Sequence, residues 1–198
     1  MDDVANKRLN RFRTAPNLLT LLRICLAPFL VAAILDHHYG LSFVLFLAAG
    51  LTDALDGLLA RLLKQRTVLG EYLDPVADKL LLSTLFLVLT YEALVPARVT
   101  VLVFGRDLAI LVVSAILYAA VGRREFSPSI FGKANTLIQV TAVAVVLLHQ
   151  LIAGSWVVAI ETWTLWMTML LTVVSGFHYA WVAARRVAAQ AASGHSNK

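Results

Sequence analysis

The stretch LSFVLFLAAGLTDALDGLLARLLKQRTVLGEYLDPVADKLLLSTLFLVLTY, residues 41–91, decides the fold. It consists of two long apolar runs joined by a short polar turn. Each run meets the ~20 helical residues needed to cross a bilayer core. Four aspartates, Asp53, Asp56, Asp74 and Asp78, stand inside this stretch. An acid at bilayer depth costs about 2.5–3.5 kcal/mol on insertion scales, so one that is kept there is a candidate for function. The acids come as two pairs, spaced three and four residues apart, and each pair therefore shares one helical face. Four carboxylates on two adjoining faces need cations, and bound divalent metal is the simplest resolution.

Working outward, 60% of the residues are hydrophobic and the mean hydropathy is +0.79, well above a soluble domain. Six apolar runs span roughly 17–35, 41–63, 74–94, 99–121, 134–154 and 156–183. The reading is an all-α integral membrane protein with six transmembrane helices. Residues 1–15 are expected to form an amphipathic segment at the cytosolic interface, 16–183 one six-helix domain, and 184–198 a cytosolic tail, frayed after Val187. Pro16 suits the first turn of the first span, and Pro28 predicts a kink within it. Trp156, Trp163 and Trp181 suit interfacial positions in the last span.

Lys and Arg residues set the orientation. Thirteen of the 17 cluster around Lys7–Arg13, Arg61–Arg66, Arg123–Lys133 and Arg185–Lys198, whereas the opposite loops hold only Arg98. Both termini are therefore expected in the cytosol. The net charge of +5 is divided among juxtamembrane segments with no interleaved aromatic platform. That pattern suits anionic lipid head groups rather than nucleic acid. The residues before the first apolar run contain no signal-peptide core. Cys25, the single cysteine, reads as an inert core thiol within the first span.

On the second span, Asp53, Asp56, Gly57, Ala60 and Arg61 fall at offsets of 0, 3, 4, 7 and 8, which is one helical face. At 1.5 Å per residue, Asp53 lies roughly 15 Å from the cytosolic end marked by Lys64. The short connection Lys64–Gly70 makes the third span an antiparallel neighbour, bringing Asp74 and Asp78 to the same depth. No Cys or His stands at ligand spacing nearby, so the box suits hard, oxygen-seeking cations rather than zinc. Gly57, Ala60 and Gly70 remove side-chain bulk, and Arg61 brings a charge suited to phosphate. Acids for metal, clearance along the helix and an arginine together imply a metal-bridged pyrophosphate substrate.

The pattern Asp53-x2-Asp56-Gly57-x2-Ala60-Arg61-x8-Gly70-x3-Asp74-x3-Asp78 resembles, without departure, the signature of the CDP-alcohol phosphotransferases. The resemblance implies that family's six-helix fold over about 16–183, and homodimers. It implies one or two Mg²⁺ or Mn²⁺ ions on Asp53, Asp56, Asp74 and Asp78, with Asp78 as general base. It also implies contacts to the CDP part of the donor from Asp56, Gly57, Ala60, Arg61 and Gly70. The opening Pro16-Asn17-Leu18-Leu19-Thr20-Leu21-Leu22-Arg23 and the run Asp74-Pro75-Val76-Ala77-Asp78-Lys79 resemble the phosphatidylglycerophosphate synthase and cardiolipin synthase branch. Asn17 and Thr20 join the donor residues on that ground. Later motifs divide the branch. The first kind tends to carry Arg-Glu with a second Arg eight residues on, followed by Gly-Lys-x-Lys-Thr. This chain has Arg106-Asp107 with Ser114, and Gly132-Lys133-Ala134-Asn135-Thr136, which resemble single-domain cardiolipin synthases.

The expected activity is transfer of the phosphatidyl group of CDP-diacylglycerol to glycerol 3-phosphate with release of CMP. Phosphatidylglycerol is the alternative acceptor. Arg106, Arg123, Arg124 and Lys133 are the candidate contacts to the acceptor's phosphate. The expected location is a bacterial inner membrane, with the active site facing the cytosol. A transporter or channel would instead spread acids along a path across the bilayer. Here they cluster on one side, below the apolar Leu41–Leu51. A purely structural membrane protein has no use for them.

Overall fold

The computed structural model describes the backbone of residues 15–62, 68–121 and 130–195, and the side chains of residues 22–52, 79–113 and 130–185. Six helices follow one another among the described residues, with no strand: α1 (Ala15–Leu35), α2 (Tyr39–Leu62), α3 (Val68–Tyr91), α4 (Ala97–Val121), α5 (Ile130–His149) and α6 (Ser155–His195). Every apolar run of the sequence has become a helix, the only open structure that satisfies its own backbone without water. Two of them, α5 over Ile130–His149 and α6 over Ser155–Arg185, are long and apolar enough to cross a membrane among the described residues. Shorter apolar helical stretches are Leu22–Leu35, Tyr39–Thr52 and Lys79–Tyr91. Apart from Ala15, the expected amphipathic segment lies outside the described residues.

Two boundaries differ from the sequence reading. The third helix begins at Val68, inside the expected Lys64–Gly70 connection, so Gly70 lies in its first turn. Glu71 and Asp74 still fall in the first two turns, where the helix dipole favours negative charge. At the other end, α6 runs on to His195 where a frayed tail was expected. The run Val187-Ala188-Ala189-Gln190-Ala191-Ala192 is rich in alanine, the strongest helix former, and accounts for the extension. Pro28 is accommodated inside α1, which runs unbroken, and Cys25 on the same helix is exposed rather than in a core.

The chain divides into two compact units. The first comprises residues up to Leu94 together with Val146–Gly154. In it α1 packs against both α2 and α3. Leu30 and Ile34 of α1, Phe46 of α2, and Leu85, Phe86 and Leu89 of α3 are all buried in this unit. Helices α1 and α3 end alike, with a non-glycine residue in the left-handed region, His37 at φ 57° and Ala93 at φ 58°. Each end is closed by paired backbone bonds: His38 N–H to Ala33 O (2.8 Å) with His37 N–H to Ile34 O (3.0 Å), and Leu94 N–H to Leu89 O (2.9 Å) with Ala93 N–H to Thr90 O (3.0 Å). The two corners meet through His37, whose Nδ1 is 3.3 Å from Glu92 Oε2 and 2.9 Å from the Tyr39 hydroxyl.

The second unit holds α4, most of α5 and α6. Here α4 packs on α6, and the Arg98 guanidinium lies 5.7 Å from the centre of the Trp166 ring. Val99, Val103, Ala142, Val143, Val157 and Leu165 form its buried apolar part. Trp156, Trp163, Trp166, Phe177 and Trp181 of α6 are exposed, and Arg185 stacks over Trp181 at 4.8 Å. Two threonine hydroxyls in this helix are spent on its own carbonyls, Thr164 on Glu161 O and Thr168 on Thr164 O, which lets them sit in apolar surroundings.

Candidate active site

The first unit carries the signature acids. Asp53 and Asp56, with Gly57, Ala60 and Arg61, lie on α2, and Gly70, Asp74 and Asp78 lie on α3, both without a break in the helix. Unbroken helix turns the three- and four-residue spacings into shared faces. Asn17 and Thr20 lie on α1, the element that packs on both α2 and α3. Sites mounted on packed helices are held more precisely than sites on loops. The side chains of all ten of these residues lie outside the described residues, as do Arg123 and Arg124 altogether. The donor set itself, four carboxylates without a soft ligand, fits a hard cation such as Mg²⁺ or Mn²⁺.

The second unit brings Arg106 into view. Its side chain is only 10% exposed, although guanidinium groups are rarely buried without partners. Arg106 Nε–H donates to Ser175 Oγ of α6 at 3.0 Å, and Arg106 Nη1 lies 2.7 Å from Asp107 Oδ1. Its stem crosses Gly176, where an added Cβ would sit 3.7 Å from Arg106 Cγ. The guanidinium is thus oriented by one hydroxyl and partly neutralised by one carboxylate. Lys133 occupies the first turn of α5 and is exposed.

Behind Lys133 the sequence reading missed a polar seam. Asn135 and Gln139 of α5, and Thr168, Thr172 and Ser175 of α6, are all buried. The Thr172 hydroxyl donates to Asn135 Oδ1 at 3.0 Å, a direct side-chain tie between α5 and α6. An interhelical bond of this kind is worth about 0.6 kcal/mol in a membrane protein, and up to ~1.7. One signal could have found the seam. Asn135 and Gln139 are four apart on α5, and Thr164, Thr168 and Thr172 four apart on α6, so each set is a polar stripe at helical spacing on an apolar helix.

Comparison with known proteins gives a family and several relatives. A family model described as CDP-alcohol phosphatidyltransferase matches residues 13–174. A human protein named cardiolipin synthase (CMP-forming) is 35% identical over 149 residues, covering 66% of this chain and 49% of the human one. The chain thus spans about half the length of the human and rat relatives it matches. A Bacillus subtilis protein named CDP-diacylglycerol--glycerol-3-phosphate 3-phosphatidyltransferase is 32% identical over 179 residues, covering 83% of this chain and 92% of the other. A Mycobacterium tuberculosis protein named probable phosphatidylglycerophosphate synthase is 33% identical over 184 residues, covering 89% and 85%.

Proposed function

This chain belongs to the CDP-alcohol phosphatidyltransferase family, and from that premise we propose that it moves the phosphatidyl group of CDP-diacylglycerol to glycerol 3-phosphate and releases CMP. The observation that carries the proposal is the complete signature, from Asp53 to Asp78, borne on the uninterrupted helices α2 and α3. In this reading Asp53, Asp56, Asp74 and Asp78 hold one or two Mg²⁺ or Mn²⁺ ions. A divalent cation bound there neutralises the pyrophosphate and stabilises the charge that develops on departing CMP. Gly57, Ala60 and Gly70 leave room for the CDP part of the donor, Arg61 meets its phosphate, and Asn17 and Thr20 add polar contacts. Asp78 takes the proton from the acceptor hydroxyl as the oxygen attacks the lipid-linked phosphorus in line. Arg106, Arg123, Arg124 and Lys133 attract the acceptor's phosphate.

The proposed setting is an inner membrane, with six spans, cytosolic termini and an active site open to the cytosol, and a homodimer as the working unit. Lys and Arg asymmetry of the loops supports the orientation. Exposed tryptophans along α6 suit contact with lipid.

A second reading has phosphatidylglycerol as acceptor, giving cardiolipin. The pairing of Arg106 with Asp107 at 2.7 Å favours it. A guanidinium already half-compensated suits the single charge of a phosphodiester better than the near-double charge of a monoester. Ser114, where a second arginine would stand, points the same way. One experiment decides. Purified protein is given CDP-diacylglycerol with glycerol 3-phosphate or with phosphatidylglycerol, and CMP and lipid product are measured. Phosphatidylglycerophosphate is the expected product. Cardiolipin alone would select the second reading, and no CMP with either acceptor would refute both.

A further inference from the structure

Two amides inside the second unit have hydrogen-bonding capacity that the fold does not use. Asn135 is fully buried and Gln139 is 3% exposed, one turn apart on α5. Asn135 Oδ1 is occupied by the Thr172 hydroxyl, which commits the amide nitrogen to the other side. That nitrogen, Asn135 Nδ2, has no partner, and neither has Gln139 Nε2. Neighbouring hydroxyl oxygens could accept, but none lies within hydrogen-bond reach of either nitrogen. Buried polar groups are ordinarily satisfied, and more strictly so where no water competes. An apolar side chain of similar volume would fill either position without the penalty. Two orphaned N–H donors side by side therefore read as a receptor for oxygen supplied from outside the chain.

We propose that Asn135 and Gln139 bind the acceptor's non-reacting glycerol hydroxyl and so determine acceptor specificity. The inference rests on the phosphatidyltransferase reading above. Glycerol 3-phosphate and phosphatidylglycerol share one chemistry, a glycerol unit esterified to phosphate at one end with two adjacent hydroxyls. The terminal hydroxyl attacks and the secondary one remains. Cations recognise the phosphate but are indifferent to a spectator hydroxyl, whose lone pairs are read by neutral N–H donors. Thr172, which meets Asn135, stands three residues before Ser175, which meets Arg106, so a hydroxyl-reading amide and a phosphate-attracting guanidinium lie against one face of α6. A site built to bond a hydroxyl rejects the analogue lacking it, because its own donors are then left unpaired.

The test compares each acceptor with its deoxy counterpart. Detergent-solubilised full-length protein with CDP-diacylglycerol is offered glycerol 3-phosphate or 3-hydroxypropyl phosphate. In a second arm it is offered phosphatidylglycerol or phosphatidyl-1,3-propanediol. Wild type is expected to favour the hydroxyl-bearing acceptor by about 10- to 100-fold in kcat/KM, in whichever arm supports turnover. Asn135→Ala and Gln139→Met should each bring that ratio towards one. The loss should fall on the hydroxyl-bearing acceptor, with the KM for CDP-diacylglycerol unchanged. Equal use of the deoxy acceptor by wild type overturns the inference even if neither variant folds. So does an equal loss with both acceptors in the variants, which would mark the amides as structural. Absence of CMP release in every arm removes the phosphatidyltransferase reading and this inference with it.

Discussion

Replacing Ser175 by alanine tests the residue on which the orientation of Arg106 depends. Ser175 is 1% exposed, and its Oγ accepts from Arg106 Nε at 3.0 Å. A hydrogen bond to a charged group is worth about 1.5–3 kcal/mol in general, and interhelical bonds in membranes up to ~1.7. A value of about 1.5 kcal/mol satisfies both ranges. The hydroxyl also donates to Thr172 O at 3.3 Å, a long contact to a carbonyl on its own helix, so little is lost there. Alanine is the better helix former by a few tenths of a kcal/mol, which partly offsets the change in folding stability. The cost should therefore appear in function. If Arg106 must be aimed to receive the acceptor's phosphate, about 1.5 kcal/mol is roughly a tenfold rise in acceptor KM, since 1.4 kcal/mol is a factor of ten. Steady-state kinetics with each substrate varied in turn measure it, and the KM for CDP-diacylglycerol should stay put. Arg106→Lys keeps the charge but loses the fork, and should match Ser175→Ala in direction. Unchanged acceptor KM in both variants would show that the Arg106–Ser175 bond is packing alone.

Asp78→Asn should nearly abolish turnover while donor binding survives, because the proton acceptor is gone and three carboxylates remain; near-wild-type turnover in a CMP-release assay would remove the base assignment. Activity should vanish in excess chelator and return with Mg²⁺ or Mn²⁺, and full activity under chelation would take the metal out of the mechanism. Ala93→Gly should stabilise the protein. The left-handed conformation costs an alanine about 1–2 kcal/mol, and glycine returns about 0.5–1 of this to unfolded-state entropy, for a net gain of about 0.5–1 kcal/mol. A melting curve in detergent should rise by about 1–4 °C. His37→Gly at the matching corner should not gain, because it gives up the contacts with Glu92 and Tyr39.

Most of the fold was legible because apolar length alone dictates a helix in lipid, and each of the six runs became one. Boundaries were less legible. Lys64–Gly70 looked like a connection, yet the apolar pair Val68-Leu69 already begins α3. The acids of the candidate site stand out in the sequence because their spacing is local and their cost in lipid is high, while their side chains lie outside the described residues. Arg106 and Ser175 are 69 residues apart, and no local rule pairs them. The seam of Asn135, Gln139, Thr168 and Thr172 was passed over for a different reason. Each member taken singly is an ordinary helix residue, and only their common burial gives them meaning.

The length of α6 has a practical consequence. Its 41 residues extend roughly 60 Å, about twice the thickness of a hydrocarbon core. In the proposed topology Trp181 and Arg185 mark the inner boundary, and the ten residues from there to His195 form a rod standing roughly 15 Å clear of it. A fluorophore on that rod would ride at a fixed height above the bilayer. Stepping the label from Ala184 to Ala192 against a quencher anchored in the head groups would then give a ruler, reporting both the side on which the C-terminus emerges and the angle at which this helix leaves the membrane.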